Sequence, residues 1–346
     1  MADRAQVGGK AASLGELTRT RIATAPGFVV TAGAFRLAMA SVDPSGAIPH
    51  RIARLPAADT AAIAGAAAAI RAQITAAPLP ASVTAAIASG YAKLGAAPVA
   101  VRSSSTMEDD VAASFAGLQD SYLGVHGLSA LLGRVRACWA SLYNDESVAY
   151  RRRAGMPEHA LSMAVVVQRM VSPRAAGVMF TLSPVTGDRS VVAIEGTWGL
   201  GSAVVAGEVT PDAFTVSKVT GEITGRRVGV KPRFHTCLQN GQGISVLPAP
   251  AGLAARPCLT DDEARALASV ARRVETHYGV PQDIEWALLR GGRAPAGADG
   301  VVVLQSRPET AWAARAADPC AVPGAAPLAR AGDHVLGLFG SPRRWN

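Results

Sequence analysis

The chain has 346 residues, enough for two domains or one large two-lobed domain with a substantial core. Apolar residues make up 49% and charged residues 17%, which excludes a disordered chain. The alanine-rich stretch Ala61 to Ile70 is too short and too weakly hydrophobic to span a bilayer. The net charge of +8 admits a nucleic-acid or acidic-membrane partner, but the arginines are scattered and lack interleaved aromatics, so neither is expected.

The dense run Arg151-Arg152-Arg153 follows a helical pattern and is expected to be a solvated helix end that complements the helix dipole. Cys138, Cys237, Cys258 and Cys320 form no CxxC pair, and no histidine sits near them at ligand spacing. A zinc site is therefore not expected, and reduced thiols are. The N-terminus, MADRAQ, is polar and has no apolar leader, so the expected location is cytoplasmic.

In chain order, residues 7–17, VGGKAASLGEL, predict a loop feeding a helix. The glycine and hydroxyl spacing of a Walker A loop is absent there. Pro26 to Thr31 predicts a turn entering a short strand, and Ala32 to Met39 a helix. Two or three alanine-rich helices, divided by Pro56, Pro78 and Pro80, follow through Lys93. Pro98 to Val101 reads as a buried strand that breaks into Arg102 and the triplet Ser103-Ser104-Ser105. Then come Glu108, Asp109, Asp110 and a small-residue turn through Gly117. A cation followed by a flexible loop of small residues suits a polyanion better than a core.

An amphipathic helix is predicted from Leu128 to Leu142, with Trp139 and Tyr143 as core aromatics, and helix continues over Ala149 to Arg153. From Leu161 the texture turns to strands: Met163 to Val171, Gly177 to Thr181, Ser190 to Glu195, and a hairpin from Ala213 through Ile223. A helix from Thr260 to Gly279 has Thr260 as N-cap and acidic residues 261–263 in its first turn. Strands Gln282 to Leu289 and Val301 to Gln305 follow. The predicted class is α/β (α+β). A helix-rich lobe spans 1–160, a strand-rich lobe 161–315, and a tail or linker 316–346, with a cleft between the lobes.

Strand alternation puts Asp283 and Glu285 on one face, with Ile284 and Trp286 on the other, and gives Gln305 and Arg307 the same relation in the next strand. If these strands pair, oxygen ligands for a hard cation lie beside a guanidinium suited to phosphate. A surface-exposed polar strand face is the alternative. Gly199-Leu200-Gly201 lacks the third glycine of a dinucleotide fingerprint, since residue 204 is valine.

Seven blocks, in family order over about residues 7 to 310, resemble the nucleotide-binding domain of the phosphoenolpyruvate synthase, pyruvate phosphate dikinase and rifampicin phosphotransferase family. They are VGGKAASLGEL, PGFVVT, AVRSSSTMEDDVAASFAGLQDSYLGV, VVVQRMV with AGVMFTLSP, IEGTWGLGSAVVAGEVTPDAF, QDIEWAL and VLQSRPET. The resemblance implies an ATP-grasp fold with ATP clamped between two lobes. It implies that Lys10, Arg102 and Arg307 contact phosphates, and that Ser114, Phe115, Ala116 and Gly117 close over them. Gln168, Met170 and Val171 would hold adenine largely through backbone groups, and Glu195 would lie near the ribose. Glu285 and Gln305 would bind Mg²⁺, with Asp283 beside them. Such chemistry rests mostly on positioning and charge neutralisation.

Relatives pass the β-phosphoryl group of ATP to a histidine on a swivelling domain, leaving AMP and phosphate. Here none of His50, His126, His159, His235, His277 and His334 sits in the family's TSHxA setting. The expectation is the ATP-binding component of a split dikinase, as in phenylphosphate synthase, acting on a histidine-bearing swivelling-domain polypeptide. The tail residues Leu336, Leu338, Phe339 and Trp345 are a candidate docking element. The alternatives are a MgATP-binding regulatory module without turnover, a component of an antibiotic phosphotransferase, or a remnant without function.

Overall fold

The computed structural model describes residues 4–105, 121–238, 243–289, 300–310 and 312. The first lobe contains α1 (Arg4–Arg19), β1 (Gly27–Val30), α2 (Ala32–Val42), α3 (Ala47–Ala53), α4 (Thr60–Ala76), α5 (Ala81–Lys93), β2 (Val99–Ser105), β3 (Ser121–Val125), α6 (Leu128–Ser141), α7 (Asp145–Ala154) and β4 (Met163–Arg169). Its strands form an antiparallel sheet in the order β1-β4-β2-β3. Ile63, Ala67, Ile70 and Ile74 recur at helical spacing along α4 and pack with Leu131, Val135 and Trp139 of α6 in one buried core.

The second lobe contains β5 (Ala175–Phe180), β6 (Val191–Trp198), α8 (Ser202–Val205), β7 (Asp212–Ser217), β8 (Ile223–Arg227), β9 (Arg233–Cys237), β10 (Ile244–Pro248), α9 (Asp261–Tyr278), β11 (Gln282–Leu288) and β12 (Val301–Pro308). Six strands form an antiparallel sheet in the order β12-β11-β5-β6-β7-β8, while β9 and β10 pair separately. Helix α9 starts at a capping box between Thr260 and Glu263 and ends at Gly279 in the left-handed conformation. Its apolar stripe, including Leu267, Ala271 and Val274, packs with Ile194, Phe214, Ile284 and Trp286 from one face of the sheet. The opposite face of β11 and β12 carries Asp283, Glu285, Gln305 and Arg307 towards one end and the buried Ala287 and Val302 towards the other.

Three expectations need correction. The lobe change expected at residue 161 comes after β4, because β4 lies between β1 and β2 in the first sheet and the next strand, β5, belongs to the second. Strand β2 does not break at Arg102. It runs through Ser105, and Ser103, Ser104 and Ser105 are buried and pair with Val165, Ala164 and Met163 of β4. Nor is the arginine run a solvated end. Arg151 is fully buried, with Nε and one terminal nitrogen on the Glu158 carboxylate (3.1 and 3.2 Å) and the other terminal nitrogen on the Leu142 carbonyl (2.7 Å). Arg152 donates to the Leu55 carbonyl, and Arg153 is exposed. A carboxylate seven residues away, at Glu158, makes that burial tolerable.

Helix α1 belongs to both lobes. It touches β2 and β4 of the first sheet, yet Leu17 is buried in the α9 core with Ile22 just beyond the helix end. The following residues run along β12, where the Val303 N–H donates to the Ala23 carbonyl at 2.8 Å. The β9–β10 hairpin, which the strand reading did not foresee, spans the lobes as well. The Leu200 N–H donates to the His235 carbonyl at 2.9 Å, and the Gly243 N–H to the Gly124 carbonyl at 2.7 Å. Among the described residues no single helix is long and apolar enough to cross a membrane. The bent pair α4 and α5 passes that test only jointly, and both helices supply residues to the first core.

Candidate functional site

Strands β11 and β12 pair antiparallel. Asp283 stands opposite Arg307 and Glu285 opposite Gln305. The same face continues across the sheet through successive partners Val178, Glu195, Ala213 and Arg227. A β-bulge makes this arrangement possible on β12. Glu285 pairs with Gln305 but Trp286 with Val303, so Leu304 is an extra residue. The bulge changes parity: Val301 and Val303 enter the α9 core, while Gln305 and Arg307 share the opposite face with the carboxylates.

Arg307 holds Asp283, with Nε 2.8 Å from Oδ2. Burial pushes the Asp283 carboxyl above the ordinary aspartate range, and the Arg307 charge opposes that shift. Asp283 Oδ1 and Gln305 Oε1 are buried and accept no hydrogen bond among the described residues. Two orphaned oxygens on neighbouring strands, beside the Glu285 carboxylate, form a donor set that fits a hard divalent cation. Among the described residues no cluster of three or more His, Cys, Asp or Glu makes a complete metal cage. Magnesium held here would draw remaining ligands from water or phosphate, as it commonly does.

The first lobe contributes Arg102 from β2. One of its terminal nitrogens donates to both Glu285 oxygens at 2.9 and 2.7 Å, and the other to the carbonyl of the bulged residue Leu304 at 3.4 Å. Lys10 lies on α1 just past a break at Gly8, where φ is 73° and ψ 172°. A Cβ at Gly8 would sit 2.2 Å from the Ser104 carbonyl oxygen, so the close approach of this turn to β2 requires glycine. Lys10, Arg102 and Arg307 are thus carried by α1 and by the two strands it packs against, β2 and β12.

Gln168, Met170 and Val171 lie at the end of β4 and in the crossing to the second lobe. The Gln168 side-chain amide is buried and donates to the Ala25 carbonyl at 3.3 Å. The Met170 N–H donates to the Pro98 carbonyl at 2.9 Å. Val171 packs with Ala25, Ala176, Ala287 and Val302 in a small apolar cluster. Glu195 is buried on β6, and that burial raises its pKa, with Arg227 pulling it back. Ser114, Phe115, Ala116 and Gly117 lie outside the described residues, as do the acidic residues 108–110, Cys320, His334 and the tail. Among the described residues Cys138, Cys237 and Cys258 form no disulfide.

Sequence reasoning gave no role to Ser13, Tyr278, Asp212 or Lys231. Asp212 and Lys231 form a wholly buried ion pair. Asp212 also accepts from the Gly229 and Cys258 N–H groups at 2.9 and 2.6 Å. Nothing in local periodicity marks such a pair. A buried charge within an otherwise apolar strand, as at Asp212 before Ala213-Phe214, is the signal that points to a hidden partner.

Cations from three elements, facing carboxylates and an amide at a lobe junction, suit a phosphate chain accompanied by a divalent ion. The family model described as "Pyruvate phosphate dikinase, AMP/ATP-binding domain" matches residues 4–322. A rifampicin phosphotransferase from a Streptomyces species is 44% identical over 308 residues, covering 88% of this chain and 34% of the relative. A phosphoenolpyruvate synthase from Aeropyrum pernix is 37% identical over 342 residues, covering 88% of this chain and 41% of the relative. The prodigiosin synthesizing transferase PigC of Serratia marcescens is 40% identical over 181 residues, covering 52% of this chain and 19% of the relative. The chain spans well under half the length of these relatives. It belongs to the pyruvate phosphate dikinase AMP/ATP-binding domain family.

Proposed function

We propose that the chain is an ATP-grasp phosphotransferase component that binds ATP with Mg²⁺ between its lobes and donates the β-phosphoryl group to a histidine on a partner polypeptide. AMP and phosphate are released. In balance, the bond from Pβ to the AMP oxygen breaks, a P–N bond forms, and water is consumed in cleaving the β–γ anhydride. The observation that carries this reading is the junction of Arg102 with the paired strands β11 and β12, which joins cations to oxygen donors across the lobes.

The residues divide the work by charge. Lys10, Arg102 and Arg307 neutralise and orient the phosphates. Glu285 and Gln305, with Asp283 beside them, would hold the metal ion, which when bound supplies charge neutralisation at the phosphate oxygens. Glu195, on the same sheet face, would accept hydrogen bonds from ribose hydroxyls. Gln168 to Val171 would flank the base. None of the five described histidines lies on α1, β2, β11 or β12, which supports an acceptor supplied from elsewhere. A cytoplasmic setting, with ATP and reduced thiols, fits this reading.

Incubation with ATP radiolabelled at the β position tests it. Label is expected on a histidine-bearing swivelling-domain polypeptide and only in its presence. Label on this chain without a partner overturns the split arrangement. MgATP binding without AMP formation in any partner mixture indicates a regulatory module instead. The 44% identity to a rifampicin phosphotransferase favours an antibiotic-type final acceptor as a second reading, tested by adding rifampicin to the complete mixture.

A further inference from the structure

The segment carrying Lys10 is pinned to both lobes by serine hydroxyls. At its start, Ser104 Oγ donates to the Val7 carbonyl at 2.9 Å and accepts from the Ala11 N–H at 3.2 Å. Ser104 lies two residues past Arg102 on β2. One turn beyond Lys10, Ser13 Oγ donates to the Ser306 carbonyl at 2.7 Å. Ser306 lies between Gln305 and Arg307 on β12.

Tyr278, at the end of α9, closes the second pin. Its hydroxyl donates to the Ser13 carbonyl at 3.2 Å and lies 3.1 Å from Ser13 Oγ. The Ser13 proton is committed to Ser306, and the single Tyr278 proton is shared between the two Ser13 oxygens. Below this, His277 Nε2 lies 3.2 Å from Glu16 Oε1. Lys10, Ser13 and Leu17 recur at helical spacing on one face of α1, and Leu17 is buried in the second core.

We propose that Ser13 and Tyr278 are positioning residues for phosphate binding. Their hydrogen bonds fix the height and rotation of the Lys10 turn relative to Gln305 and Arg307. The three cations thereby converge on one run of phosphates. Neither residue touches the nucleotide. Their effect is specific to the phosphates beyond the first, so it separates ATP from AMP. This rests on the nucleotide-binding reading above.

The test is calorimetric titration of the full chain with MgATP and, separately, with AMP. Ser13→Ala is expected to weaken MgATP binding about tenfold, the loss of one well-aligned hydrogen bond, while AMP affinity stays within about twofold. Ser13→Thr restores the hydroxyl and recovers most of the ATP affinity. Tyr278→Phe shows the same ATP-selective loss at smaller size and serves as the second variant if Ser13→Ala folds poorly. Equal weakening of ATP and AMP, or unchanged ATP affinity in both variants, overturns the proposal. A wild-type chain that binds neither nucleotide overturns the nucleotide-binding reading itself, and the proposal with it.

Discussion

Arg102 and Glu285 close the cleft on each other. They are 183 residues apart, on different sheets, and one guanidinium nitrogen reaches both carboxylate oxygens at 2.9 and 2.7 Å. Their side chains are only 13% and 18% exposed, so the pair is poorly screened by solvent. In this arrangement a residue assigned to phosphate neutralises a residue assigned to metal. On the proposed reading, nucleotide and metal would exchange the pair between them.

Glu285→Gln removes the carboxylate charge that competes for Arg102. ATP affinity measured in excess EDTA is expected to rise about threefold to tenfold, while the additional gain from Mg²⁺ shrinks. Titration calorimetry with and without metal reads both quantities. Weaker metal-free binding in this variant would count against the exchange.

The buried pair Asp212 and Lys231 is a stability element rather than part of the site. Both side chains are 0% exposed, and Asp212 holds the turn at Gly229 and the backbone at Cys258. Lys231→Met leaves the carboxylate buried without its counter-charge. The expected cost is about 3–5 kcal/mol in urea unfolding, followed by tryptophan fluorescence. A cost under about 1 kcal/mol would show that the two backbone donors suffice alone.

Glu195 carries a pH signature. Burial raises its folded-state pKa, and Arg227 only partly offsets that. The folded chain therefore keeps this proton to higher pH than the unfolded chain does. Ionising Glu195 starts to cost stability above the ordinary glutamate value of about 4.3, and the cost is complete above the raised value. Glu195→Gln is expected to melt higher than wild type at pH 8, with the difference closing as pH falls towards about 4. Thermal melts across that range check it. ATP affinity should fall in the same variant if the carboxylate serves the ribose, a trade of stability against function. A lower melting temperature at pH 8 would sink the prediction.

Much of the secondary structure was legible. Thr260 and Glu263 mark the start of α9, and prolines 56, 78 and 80 separate the alanine-rich helices. The period of a strand put Asp283 and Glu285 on one face, and the observed register agrees. The β9–β10 hairpin was not foreseen, although the glycine-rich residues 240–243 between two short β-prone runs are a hairpin signal. The serine triplet was misplaced because hydroxyls resemble loop chemistry. In β2 they are buried by β4, and Ser104 is satisfied by Val7 and Ala11.

The sequence by itself determined most of the elements, the shared facing of Asp283 with Glu285 and of Gln305 with Arg307, and the set of charged side chains available for phosphate and metal. These are consequences of backbone period, capping and composition, which act over a few residues. Tertiary structure alone decided which of those side chains meet. The bulge at Leu304 turned Gln305 and Arg307 away from the α9 core. Helix α1 packs on both β2 and β12, Arg102 reaches Glu285 across the sheets, and Ser13 reaches Ser306 across 293 residues of sequence. Such partnerships depend on how two sheets and one bent helix stack, and no local period carries that information.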